Sequence, residues 1–329
     1  MTRLLRVELT RLLSRRAVLV LLVVAVAIPT VIGVATVLNS RPPSPAEIAN
    51  AERSLEQEME SPWFQKQLAK CEANPGRWGV EPGPDVEQSC AESMGMTIHN
   101  YLWWNELQLV EERDSGSGLA VVIVLAILMM LAGTTFAGHD WASGSVSNQL
   151  LFEPRRPLVW AAKAVVVTAV TGVFAAVVIT AYWLFLGAVA RSRDLPVGDG
   201  LLLDCLRSGW RGAGVAAAAA LAGYGLTMLF RSTVAALGIL LASSVAGGVV
   251  LAVVGIGSVW NPGLNVAAVI LDGATYWADV QCPGEAALPG ETCSVERTLP
   301  LGRALWFLGV GLVLFATASV ASFQRRDVP

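Results

Sequence analysis

The residues whose types and spacing could do chemistry gather between positions 138 and 163: Asp140, Ser143, Gly144 and Ser145, then Val146, Leu150 and Leu151, then Pro154, Arg155, Arg156 and Pro157, with Lys163 a short step beyond. The chemistry they offer is recognition rather than bond-making. A carboxylate or hydroxyl at the mouth of a short helix accepts from exposed backbone N–H groups, so Asp140 or Ser143 can cap one. Val146, Leu150 and Leu151 recur at helical spacing and give that helix an apolar stripe. Pro154 and Pro157 stop it, and Arg155 and Arg156 suit the boundary between water and lipid. Such a helix hung between two membrane spans is a handle by which another protein could move them. The plain alternative is a polar loop with boundary arginines.

The handle needs spans on either side, and the composition supplies them: 54% of the 329 residues are hydrophobic and only 15% are charged. About 20 consecutive apolar residues cross the hydrocarbon core, and with no water there the backbone must satisfy itself within a helix. Six stretches qualify: 17–38, 118–137, 158–190, 212–230, 234–259 and 304–323. The expected fold is therefore an all-α polytopic membrane protein with six transmembrane helices. Pro29 falls inside the first span, where membrane helices tolerate it. Lys163 lies near one end of the third, able to snorkel. Residues 1–16 hold five arginines against the single acid Glu8, with Leu5, Leu9, Leu12 and Leu13 on one arc. That pattern reads as an interfacial helix on an anionic leaflet. The rival, a cleaved signal peptide, is disfavoured because the apolar run that follows is longer than a usual h-region.

Orientation follows from the basic residues at span ends. With the N-terminus inside, the inner segments 1–16, 138–157, 231–233 and 324–329, with Lys163, carry eleven, and the short outer segments 191–211 and 260–303 carry six. The long segment 39–117 is then a large external loop between helices 1 and 2, with 14 acids and six bases. Within it Ala46 to Cys71 has helical composition, Asn74 to Pro84 reads as loop, and Ile98 to Trp104 leads back to the bilayer. Leu264 to Trp277 is a candidate surface helix in the last external loop. Cys71 and Cys90 share the first external loop and Cys282 and Cys293 the last, where disulfides persist. The two local pairings are the expected bridges, free thiols being the alternative, and Cys205 is left over as a small apolar residue.

Several function classes are disfavoured by what is missing. No phosphate-binding loop, nucleophile elbow or zinc-protease helix is present, so no catalytic residues are expected. The only histidines, His99 and His139, fall on opposite sides of the expected membrane, so no metal site is expected either. No span carries Asp, Glu or His at mid-depth, where ion-coupled transporters keep their coupling charge. Transport, if any, is then driven by a partner.

The pattern Asp140, Gly144-Ser145, Leu151-Phe152-Glu153-Pro154-Arg155-Arg156 and Lys163 resembles that of the type-2 ABC exporter permeases. So does the layout: a basic N-terminal interfacial helix, six spans, a tight Arg231-Ser232-Thr233 turn and a surface helix before the last span. The resemblance implies a permease subunit in the cell membrane, both termini cytoplasmic, exporting an apolar or amphipathic substrate. It implies two kinds of partner, a cytoplasmic ABC ATPase and a second permease subunit of the same or a homologous chain. ATP and magnesium would belong to the ATPase, leaving this chain with no cofactor and no nucleic-acid partner. The segment 138–157 would be the coupling helix, with Asp140, Gly144, Ser145, Val146, Leu150 and Leu151 its coupling residues and Arg155, Arg156 and Lys163 the basic residues of the inner boundary. The chain departs from the family in carrying Asp140 where glutamate is usual, and in the size of its first external loop. The alternative is a membrane-anchored sensor or assembly protein whose acidic external loop binds a partner; a secondary transporter or channel is a further one.

Overall fold

The computed structural model describes residues 2–102, 104–198, 200–254, 258–281 and 292–326. Their contacts form two compact units, Met1–Gly33 with Leu109–Pro329, and Val34–Gln108.

The chain opens with α1 (Thr2–Leu13) and α2 (Arg16–Asn39). On α1 the buried face carries Glu8 and Leu12, while Leu9 and Leu13 are exposed. The side of α1 that faces the protein thus includes an acid, and Leu9 and Leu13 are left on the outer side. Pro29 lies within α2 on its buried stripe with Val18, Ala25 and Gly33. Leu19, Val20, Val23, Val26, Val31, Val34 and Leu38 of α2 are exposed, as suits a helix in lipid, while Leu21, Leu22, Val24 and Val37 are half-buried.

The smaller unit is built from α3 (Pro45–Met59), α4 (Pro62–Ala73), a tight helical turn at Pro75–Trp78, α5 (Val86–Ser93) and α6 (Ile98–Leu102). The helical stretch expected from Ala46 to Cys71 is thus broken, because Ser61 caps a new helix that begins at Pro62. Ser44 opens α3 with a capping box: Glu47 N–H donates to Ser44 Oγ at 3.3 Å and Ser44 N–H to Glu47 Oε2 at 2.7 Å. That backbone N–H is the main reason the Glu47 carboxyl is held below the usual carboxylate range. Phe64, Leu68, Cys71, Val80, Cys90 and Ala91 form the core. The Cys71–Cys90 disulfide, with Cα atoms 6.0 Å apart, runs through it. Cys282 lies outside the described residues, and so does the expected Cys282–Cys293 bridge. Cys205 is a free, buried thiol.

The larger unit resumes with α7 (Leu109–Asp114), α8 (Ser117–Ala142), α9 (Ser145–Phe152), α10 (Arg156–Ser192), α11 (Leu201–Phe230), α12 (Thr233–Val254) and α13 (Pro262–Leu271). Strands β1 (Ala274–Gln281) and β2 (Thr292–Leu299) follow as an antiparallel pair, then α14 (Leu301–Arg325). Among the described residues five helical stretches are long and apolar enough to cross a membrane: α2, α7 with α8, α10, α11 and α14. The 22-residue α12 covers most of the expected fifth span, whose remaining residues include 255–257, outside the described set.

Two further boundaries differ from expectation, besides α8, which runs on to Ala142 instead of ending at 137. α11 begins at Leu201 rather than 212, so most of the expected external link is helix. At about 1.5 Å per residue it exceeds the ~30 Å hydrocarbon core, and its first turns, with Asp204, Arg207 and Arg211, are long enough to stand clear of lipid. The surface helix ends at Leu271, where Asp272 and Gly273 take positive φ, and the chain enters a hairpin instead of reaching Trp277. Thr275, Tyr276, Trp277 and Val280 on one strand and Thr292, Val295 and Thr298 on the other are residues that favour a pleated surface.

α11 packs against α8 and α10 at the centre of this unit. A Cβ added at Gly133 would overlap the Ala220 carbonyl oxygen, and one at Gly223 the Met130 carbonyl, so the α8 and α11 backbones touch. Buried polar groups tie the helices together. Trp160 Nε1 donates to Ser319 Oγ at 3.2 Å, Ser319 Oγ to the Gly225 carbonyl at 2.8 Å, and the Tyr224 hydroxyl to the Trp160 carbonyl at 3.0 Å.

Candidate functional site

The segment between α8 and α10 is a short helix, but Asp140 does not cap it. α8 continues through Asp140 to Ala142, and Ser143 turns its hydroxyl back to the His139 carbonyl at 2.8 Å. The chain then reverses at Gly144, whose φ of 67° favours a residue without a Cβ, and α9 starts at Ser145. Asp140 meets α9 another way: Ser145 Oγ donates to Asp140 Oδ1 at 2.8 Å.

Asp140 is the middle of a buried ion-paired cluster. Lys163 Nζ donates to Asp140 Oδ2 at 2.6 Å and to Glu8 Oε2 at 2.7 Å. Arg15 donates from Nη2 to Asp140 Oδ1 and from Nη1 to the Phe136 carbonyl at 3.0 Å. Gln149, on α9, donates from Nε2 to Glu8 Oε1 at 2.5 Å, and its own Oε1 accepts from Arg11 Nη1 at 3.1 Å. The Phe136 ring lies beneath two of the cations, with Arg15 Cζ 4.9 Å and Lys163 Nζ 5.1 Å from its centroid.

Lys163 does not snorkel, contrary to expectation. Its side chain is 2% exposed, because Glu8 and Asp140 neutralise it in place and remove the pull toward water. All four carboxylate oxygens of Glu8 and Asp140 accept a hydrogen bond. Groups satisfied in this way hold elements together and leave no oxygen unengaged. The cluster joins α1, α8, α9 and α10 and includes Arg15 from the junction before α2.

The coupling residues expected from the sequence divide by exposure. Val146 is 1% exposed and packs into the bundle end, and Leu150 is half-buried. Leu151 and Phe152 are 81% and 90% exposed. The stripe is therefore two faces: Val146 seats the helix, and its C-terminal tip presents an apolar pair to solvent. Arg155 is exposed and pairs with Glu153 at 2.8 Å, and that guanidinium holds the Glu153 carboxyl below its usual range. Arg156 donates from Nη1 to the carbonyls of Phe323, Gln324 and Arg326 at 3.3, 3.2 and 2.7 Å, closing the C-terminus of α14. No group of three His, Cys, Asp or Glu among the described residues could hold a metal ion.

Other contacts bring further helix ends to this place. The Arg231 guanidinium lies 4.8 Å over the Trp141 ring, and Trp141 meets Phe323 edge to face at 6.1 Å. A Cβ at Gly138 would overlap the Thr233 side chain at the start of α12. Arg326 donates to the Leu229 carbonyl at 3.1 Å. Arg15, Arg156, Lys163, Arg231 and Arg326, all read as inner residues from the charge pattern, thus share one end of the larger unit.

Sequence reasoning missed Glu8, Arg11, Arg15, Phe136 and Gln149 as members of the cluster. One signal was present: Glu8 is the lone acid among five arginines, and Lys163 the lone base in its apolar run. Compared with known proteins, the chain matches no family model, no curated protein and no solved structure.

Proposed function

We propose that this chain is the permease subunit of an ABC exporter in the cell membrane, moved by a separate cytoplasmic ATPase that docks on α9. One observation carries the reading. The tip of α9 exposes Leu151 and Phe152, while its body is tied through Ser145 and Gln149 to the buried Asp140–Lys163–Glu8 cluster. A force on that tip reaches α1, α8 and α10 together, because a closed network of charge-assisted bonds does not stretch piecemeal. The gathering of basic helix ends at one end of the unit supports six spans, α12 included, with both termini cytoplasmic and segment 39–117 external. The substrate is apolar or amphipathic, and a second permease subunit completes the translocation path.

The test replaces both tip residues, Leu151→Ser with Phe152→Ser, and measures copurification of an ATPase and transport-linked ATP turnover. Expression and thermal stability should stay unchanged, since both side chains stand in solvent, while association and turnover fall at least tenfold. Normal association and turnover would remove the coupling role. Topology is checked by an impermeant thiol reagent on whole cells, which should label Ser115→Cys and spare Ser143→Cys.

A second reading has one observation in its favour. Segment 34–108 is compact by itself, with its own core and disulfide. A membrane-anchored sensor or assembly protein would use it as the binding part, and full function without any ATPase would favour that role.

A further inference from the structure

The smaller unit is acidic, yet three of its five basic residues face one groove. Lys66 and Lys70 stand one turn apart on α4, with Ala69 and Ala73 between and beyond them forming a low floor. The turn at Pro75–Trp78 folds back beside that face and supplies Arg77 and Trp78 as the facing wall. The groove has a volume of about 750 Å³, and no acid lines it. Among the described residues none of the three cations is within ion-pair distance of a carboxylate, although Glu72 and Glu81 are close in sequence. Trp78 is 40% exposed, a large ring left in water beside them. The scaffold beneath is stiff: Cys71, on the same helix, is buried in the disulfide, and Gly79 ends the turn with φ 72°.

We infer that this groove binds a phosphate ester whose alcohol part carries a ring. Lys66, Lys70 and Arg77 hold the phosphate oxygens by charge-assisted hydrogen bonds, and Trp78 takes the ring against its face. Two arguments select an ester over a bare anion. The groove is many times the size of inorganic phosphate, and an exposed tryptophan adds nothing to binding a small hydrated ion. Lipid headgroups and soluble phosphate esters share this chemistry. The site needs neither an ATPase nor the coupling role of α9.

The experiment uses the full chain in phosphatidylcholine nanodiscs and isothermal titration calorimetry. The probes are phenyl phosphate for the soluble source, dihexanoyl phosphatidylinositol for the lipid source, and inorganic phosphate as the comparison. At least one ester should bind more tightly than inorganic phosphate, and the tighter of the two identifies the source. Lys66→Gln with Lys70→Gln should weaken that ester roughly tenfold, and raising salt from about 50 mM should weaken it further, because exposed charges are screened. Trp78→Ala should weaken the ester several-fold and leave inorganic phosphate unchanged. All these positions are exposed, so unchanged thermal unfolding and an intact Cys71–Cys90 bridge check the fold. No ester binding at millimolar concentration would overturn the proposal. So would binding indifferent to the lysine pair, or inorganic phosphate binding as tightly as both esters.

Discussion

In the larger unit Glu8, Asp140 and Lys163 are at most 2% exposed and bonded to one another, whereas in the smaller unit the acids of α3 and α5 stand mostly in water and the interior is left to Phe64, Leu68 and a disulfide. The difference follows from what surrounds each part. A helix bundle with apolar surroundings cannot leave a charge without a partner, so its charges pair across elements. A small unit in water can leave its charges solvated, but it buries too little apolar surface to be secure without a cross-link. Charge is internal structure in the Glu8–Lys163–Asp140 cluster and surface on α3 and α5.

Breaking that comparison at its strongest point means removing one member of the cluster. Lys163→Met leaves Glu8 and Asp140 facing each other with only arginines at the rim, and should destabilise the larger unit by about 3–5 kcal/mol. Thermal unfolding in detergent should show the loss. Glu8→Gln with Asp140→Asn in the same chain should restore much of it, because neutral groups no longer need the ammonium. Lys66→Met in the smaller unit should stay within about 0.5 kcal/mol of the parent, since that side chain is exposed.

The next effect belongs to the other side. Cys71→Ala with Cys90→Ala should cost the smaller unit about 2–4 kcal/mol. Hydrogen exchange should then quicken in α4 and α5 while α8, α10 and α11 keep their protection. Loss of protection in both units together would mean that the two stabilities are not separable. A smaller loss, about 1–3 kcal/mol, is expected of Gly133→Val, which forces a side chain between two touching backbones.

The smallest effect sharpens the contrast on the surface. Ser44→Ala should weaken α3 by about 1 kcal/mol, read as faster exchange of its first turn. The same cap should respond to acid. The Glu47 carboxyl is held below its unfolded value, so its contribution is complete above that value and disappears as the pH falls through the lowered one. Glu47→Gln should remove this acid response.

Spans were legible in the sequence because a water-soluble fold rarely needs an apolar run long enough for a bilayer, and α2, α8, α10 and α14 lie close to where the runs place them. Helix continuations were less so. Leu201 to Arg211 mixes Asp204, Arg207 and Arg211 with leucines, which suits a link as well as the projecting turns of a long helix. Strand composition from Ala274 was outweighed by the apolar helix just before it. The candidate site was half legible. Periodicity found α9, but it could not tell that Val146 faces inward and Leu151 outward, because that depends on how Gly144 aims the helix. The Glu8–Lys163 pair joins residues 155 positions apart, and no local pattern reports such a contact.

The bond from Arg156 to the end of α14 bears on how the protein is made. Its carbonyl partners lie 167 to 170 positions further along the chain. While the ribosome is still working toward them, α10 is already made, and its first residue holds an empty hand. Closing this end of the bundle must therefore wait until α14 has been made. A chain halted before α14 would leave Arg156 without these carbonyls and this end of the bundle unlatched.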